Sequence, residues 1–182
     1  MALATLSTFT PSASFTLVTP PPTQSDPLGI SLPYAGIANT VALPAGSSPA
    51  TILVTNLGPE PAFVGTGVAV ATTTATAASG SKALVVASGT SVAVGQAAIA
   101  AGIPQGAVVT AVSGTAVTIS LATTAALSTT AINFVAGVTP ATGIAVMPNQ
   151  PPLALDYVGN GFLSAICTVG ASRAILSVAV GV

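Results

Sequence analysis

Apolar and polar positions along this chain repeat with a period of two, the spacing of a strand with one face on a core. In the last segment Ala174, Leu176, Val178 and Val180 alternate with Arg173, Ile175, Ser177 and Ala179. The run Thr51-Ile52-Leu53-Val54-Thr55-Asn56 is rich in β-branched residues and ends at Asn56-Leu57-Gly58-Pro59, a turn signal. Ala62-Phe63-Val64-Gly65 is its expected hairpin partner. Further strands are predicted over 144–147, 153–158, 162–169 and 173–180, with a tight turn at Gly159-Asn160-Gly161. No stretch combines a 3.6-residue period with helix caps. Short strands at this spacing predict an all-β fold, a β-sandwich or jelly-roll-like domain.

Texture divides the chain further. Residues 1–33 are rich in Thr, Ser and Pro, and Pro20-Pro21-Pro22 excludes helix or central strand there. An extended N-terminal arm lying along a neighbouring subunit is expected, with Phe9, Phe15 and Leu17 as apolar anchors and Pro20, Pro21 and Pro22 as its stiff segment. Residues 34–67 and 139–182 form one discontinuous β-sandwich domain. Between them, 68–138 reads as an inserted β-module of Ala, Thr, Val, Ser and Gly whose one charge is Lys82. Within it, 107–112 and 115–121 flank Ser113-Gly114 as a hairpin, and 130–136 is a strand turning Ile132 and Phe134 inward. A small sandwich with a thin Val, Ile and Ala core is the expectation for this module. The window 83–103 is apolar enough to raise a membrane span. Interruptions at Ser88-Gly89-Thr90-Ser91, Gly95-Gln96 and Gly102, and the preference for Ala and Val, argue for short strands and against membrane insertion.

Charge then narrows the function. Five of 182 residues are charged, 3% where a soluble domain carries roughly a quarter, and histidine is absent. Asp26, Glu60, Asp156, Lys82 and Arg173 are too few and too scattered for acid–base or phosphoryl-transfer chemistry. The three carboxylates come from distant segments with no Asp-rich loop, so no metal site is expected. Cys167 shares a predicted strand face with Leu163, Ala165 and Val169 and reads as a small buried hydrophobe. Gly65-Thr66-Gly67 lacks the lysine of a phosphate loop and reads as a turn. Asp156 and Arg173 fall in strands of one expected sheet and are a candidate ion pair. Two cations cannot neutralise a phosphate backbone, which excludes nucleic acid as a partner. The picture is a non-enzymatic chain without cofactors. A surface so poor in charge calls for coverage, hence a closed symmetric oligomer.

One segment carries a resemblance. Val94-Gly95-Gln96, Gly102-Ile103-Pro104-Gln105-Gly106, Val109-Thr110-Ala111-Val112-Ser113-Gly114-Thr115 and Val117-Thr118-Ile119-Ser120 resemble a small β-module of tailed-phage structural proteins and bacterial surface proteins. Ile52-Leu53-Val54-Thr55-Asn56-Leu57-Gly58 and Gly161-Phe162-Leu163-Ser164-Ala165-Ile166-Cys167-Thr168 look like phage virion proteins that decorate a head or build a fibre. The resemblance implies a structural protein on the exterior of a virion, made in the host cytoplasm. It would cement or decorate the head or form a short head fibre. Its partners would be itself, as a homotrimer, and the major capsid protein or another virion protein. An adhesin-like module binding a host surface or glycan is the alternative. The supply of aromatic rings speaks against it, since Trp is absent and tyrosine is confined to Tyr34 and Tyr157.

Overall fold

The computed structural model describes residues 11–18, 38–43, 50–157, 161–167 and 174–181. These hold fourteen strands and no helix: β1 (Pro11–Val18), β2 (Asn39–Ala42), β3 (Ala50–Asn56), β4 (Ala62–Gly67), β5 (Ala71–Ala77), β6 (Ala83–Val86), β7 (Ala97–Ile99), β8 (Val109–Ser113), β9 (Ala116–Ile119), β10 (Leu127–Val135), β11 (Ile144–Val146), β12 (Leu153–Tyr157), β13 (Phe162–Cys167) and β14 (Ile175–Gly181). The fold is all-β. A front sheet in the order β1-β14-β3-β12 packs on a back sheet in the order β11-β4-β13-β2, and β5 to β10 form a six-stranded sheet of their own.

Strict alternation explains the sandwich. Ala174, Leu176, Val178 and Val180 are buried while Ile175, Ser177 and Ala179 are only half-buried, so β14 turns one face inward. Ile52 and Val54 join them from the front sheet, and Val64, Leu163, Ala165, Cys167 and Val146 meet them from the back. Each fully buried Val, Leu or Ile favours this core by about 1.5–3 kcal/mol before chain entropy is counted. Cys167 is buried among these side chains, as its strand position predicts. The pairing is nested: β1 with β14, β2 with β13, β3 with β12 and β4 with β11, all antiparallel.

The expected hairpin between 51–56 and 62–65 does not form. β3 pairs with β14 and β12, while β4 pairs with β11 and β13 in the other sheet. The reason lies in the faces. Ile52 and Val54 must meet Val64 and Ala62 across the core, so the chain after Asn56 crosses between the layers. Part of the segment read as an arm is also placed differently from its expected setting. Its residues 11–18 are the edge strand β1 of the chain's own front sheet, with Phe15 opposite Val178 and Leu17 opposite Leu176.

The insertion is one six-stranded sheet, β7-β10-β5-β6-β9-β8, that curls until its outer strands meet. They join at the bridge Ala97–Val108, where Val109 N–H donates to Gln96 O at 2.8 Å and Ala98 N–H to Ala107 O at 2.9 Å. The two layers expected of this module therefore come from one sheet folded over its core. Phe134, Ile132, Leu84, Val86, Val117 and Ile119 fill that core. The predicted hairpin is present, with Ser113 opposite Ala116. Gly114 takes φ +58° in its two-residue loop, which a side chain would resist.

Candidate functional site

Two places bring the outer domain's polar groups together: one end of the sandwich, and the seam where the insertion meets the back sheet.

At the end, Asn56 closes β3 and is buried, only 3% exposed. Its Nδ2 donates to Glu60 O at 2.7 Å and to Val146 O at 2.9 Å, and its Oδ1 accepts from Gly58 N–H at 3.0 Å. One side chain thus ties the crossing loop 57–61 to the end of β11 in the other sheet. Around this pin Leu57 and Met147 are exposed. Pro59, Pro61, Pro148, Pro151 and Pro152 stiffen the two loops. From the sequence Asn56 is a turn residue alone; its bond to Val146 O, ninety residues on in the other sheet, has no local signature.

The insertion is rooted at the opposite end. Val70 N–H donates to Phe134 O at 2.9 Å, which holds its incoming and outgoing chains side by side. The outgoing chain then crosses the outer face of the back sheet, where Val138 N–H donates to Ser164 Oγ at 2.7 Å. A Cβ on Gly137 would lie 2.9 Å from Ala38 Cβ, and one on Gly143 would lie 2.8 Å from Phe63 Cβ and Val138 Cγ2. Close backbone approach is what these two glycines supply. Phe162 packs outward with Val135 and Ala97 of the insertion. β13 is buried along its length: Leu163, Ala165 and Cys167 face the sandwich core, while Phe162 meets Val135 and Ala97 and Ser164 meets Val138 on the outer side.

Beside this contact a cleft of about 210 Å³ opens between β2 and the insertion, lined by Thr40, Ala42, Ala98, Ile99, Ile103 and Pro104 among others. No charged residue lines it. Val41 packs against the sandwich core, so the neighbouring Thr40 faces the insertion, level with Ser164. Thr40 is 2% exposed and its Oγ1 has no hydrogen-bond partner. Such a group is rare in a folded interior.

The charged residues that the structure describes lie on separate elements. Asp156 stands at the exposed edge of β12 and accepts from Thr51 Oγ1 at 2.9 Å, its neighbour across the ladder. Glu60 belongs to the loop pinned by Asn56, and Lys82 is exposed just before β6. Asp26, Arg173, Phe9, Pro20, Pro21 and Pro22 lie outside the described residues. Among the described residues no three His, Cys, Asp or Glu side chains gather as a metal site would require. No helix there is long and apolar enough to cross a membrane. Exposed Leu57, Val68, Val70, Val85, Val94, Ile144 and Met147 are distributed over both units. Pairing by backbone, apolar burial and hydroxyl hydrogen bonds is the chemistry this surface offers. No protein-family model, curated protein sequence or solved structure matches the chain.

Proposed function

We propose that this chain is a non-enzymatic structural protein of a tailed-phage particle, decorating or cementing the head or building a short head fibre. The observation that carries the reading is the surface. Glu60, Lys82 and Asp156 are its charged groups among the described residues, while seven large apolar side chains stand exposed. A chain built this way is suited to an assembly that covers it. The nested pairing of β1 with β14 through β4 with β11 supports a jelly-roll reading of the outer domain, an architecture that viral capsid proteins use. Resemblance of the insertion to phage β-modules supports the setting and suggests a homotrimer on the particle exterior, bound to the major capsid protein or another virion protein.

Hydroxyls on the outer side of the insertion favour a second reading, an adhesin-like module. Thr72, Thr76 and Thr118 are exposed there, and Thr72 Oγ1 hydrogen-bonds Asn133 Oδ1 at 2.8 Å. Mass spectrometry of purified particles, paired with glycan binding by the isolated chain, separates the two. The proposal expects particle-bound protein in stoichiometric amount and no glycan binding. Absence from particles together with saturable glycan binding would replace it with the adhesin.

A further inference from the structure

We infer that the cleft between β2 and the insertion binds a small uncharged molecule, about one ring in size, whose single hydroxyl or carbonyl group is read by Thr40. The inference goes beyond the assembly reading and does not depend on it. Size sets the first limit. The cleft's volume of about 210 Å³ exceeds the roughly 150 Å³ of an apolar cavity that accepts benzene, and it falls below the roughly 300 Å³ at which drug-sized pockets begin. One ring fits and two do not.

The walls set the second limit. Ala42 of β2, Ile99 of β7, and Ile103 and Pro104 of the loop after β7 make them apolar. That loop is tied down by its backbone. Ile103 N–H donates to Ala100 O at 3.2 Å, Ala107 N–H to Pro104 O at 3.2 Å, and Thr124 N–H to Gly102 O at 2.9 Å. The wall is thus formed before a ligand arrives. Glu60, Lys82 and Asp156 do not line the cleft, so an ion entering it would shed water without meeting a counter-charge.

Thr40 supplies the recognition. It lines the cleft and is 2% exposed, and its Oγ1 has no hydrogen-bond partner. Across the ladder stands Ser164, whose Oγ accepts from Val138 N–H at 2.7 Å. Of these two neighbouring hydroxyls, one is engaged by the insertion and the other is idle. No hydrogen bond holds Thr40 Oγ1 where it is, so a turn about χ1 to another staggered well presents it to the cleft without breaking one. A ligand hydroxyl or carbonyl that meets it relieves a buried, unpaired group, which favours binding by about three- to tenfold.

The test is methyl NMR of the full chain labelled at isoleucine and titrated with p-cresol, toluene and p-toluate. These probes share one methyl-substituted ring and differ in carrying a hydroxyl, no polar group or a carboxylate. Both neutral probes should shift the methyls of Ile99 and Ile103 saturably, while Ile52 and Ile132 in the two cores stay put. p-Toluate should shift none of them. Thr40→Val should weaken p-cresol by about three- to tenfold relative to toluene, and Thr40→Ser should keep the parent's ratio. Toluene binding retained by Thr40→Val shows that the cleft is intact in the variant. Ile99 and Ile103 unmoved by both neutral probes would overturn the site. A p-cresol to toluene ratio unchanged in Thr40→Val would overturn the role of Thr40. Loss of toluene in that variant as well would mean that the hydroxyl supports the fold, and would overturn that role too. p-Toluate binding as tightly as p-cresol would overturn the uncharged class. None of these outcomes bears on attachment to particles, which mass spectrometry tests separately.

Discussion

Replacing Asn56 by Ala removes three hydrogen bonds at once. Glu60 O and Val146 O lose a donor and Gly58 N–H loses its acceptor, at a position that is buried in the fold. At about 0.5–1.5 kcal/mol net for each bond, the loss is about 2–4 kcal/mol. A chain of this size then melts roughly 4–16 °C lower. Asn56→Asp is the sharper variant. A carboxylate still accepts from Gly58 N–H but faces two carbonyl oxygens to which it cannot donate. Its folded pKa would therefore rise above the unfolded value of about 3.9. The sign follows: the folded state holds the proton more tightly, so stability is greatest at acid pH and falls as pH climbs from about 4 through the raised folded pKa. Urea unfolding followed by far-UV circular dichroism measures both. Asn56→Ala within 0.5 kcal/mol of the parent, or Asn56→Asp with no gain on acidification, would refute the pin.

Two further outcomes follow from the packing. Excising residues 71–135 and joining the flanking chain should leave the outer sandwich folded, because Val70 and Phe134 are hydrogen-bonded neighbours and 136–143 stays to cover the back sheet; loss of all β-signal in circular dichroism would make the two units one core. Gly89→Ala should destabilise the insertion by about 1–3 kcal/mol or more, since the added methyl runs into Gly114 O in the hairpin loop; an unchanged thermal transition would contradict that close approach.

Strands whose two faces differ strongly were legible from the chain alone. β14 with Leu176, Val178 and Val180 inward, and β10 with Ile132 and Phe134 inward, lie where alternation puts them. β5 was not, because its inward residues Ala71, Ala75 and Ala77 alternate with threonines of similar size. β2 escaped for the same reason: Asn39-Thr40-Val41-Ala42 has little contrast, and ladder bonds to β13 hold it. The β3–β4 hairpin failed because a turn signal at Asn56 states that the chain reverses, not which sheet receives it. The seam was beyond reach as well. Nothing local marks Thr40 or Phe162 as facing an insertion that begins elsewhere in the chain.

Salt tests most directly the proposal that this protein assembles and attaches through uncharged contacts. With no histidine, three carboxylates and two cations, Debye screening has little to act on, whereas excluded salts such as sulfate strengthen apolar burial. The measurement is release from particles, or oligomer dissociation, titrated from low salt to about 1 M NaCl and in parallel with sodium sulfate. The midpoint is expected to stay put in NaCl and to move toward tighter association in sulfate. A midpoint that shifts steeply with NaCl would mean that a charged partner surface holds the protein, and the uncharged-assembly mechanism would be wrong.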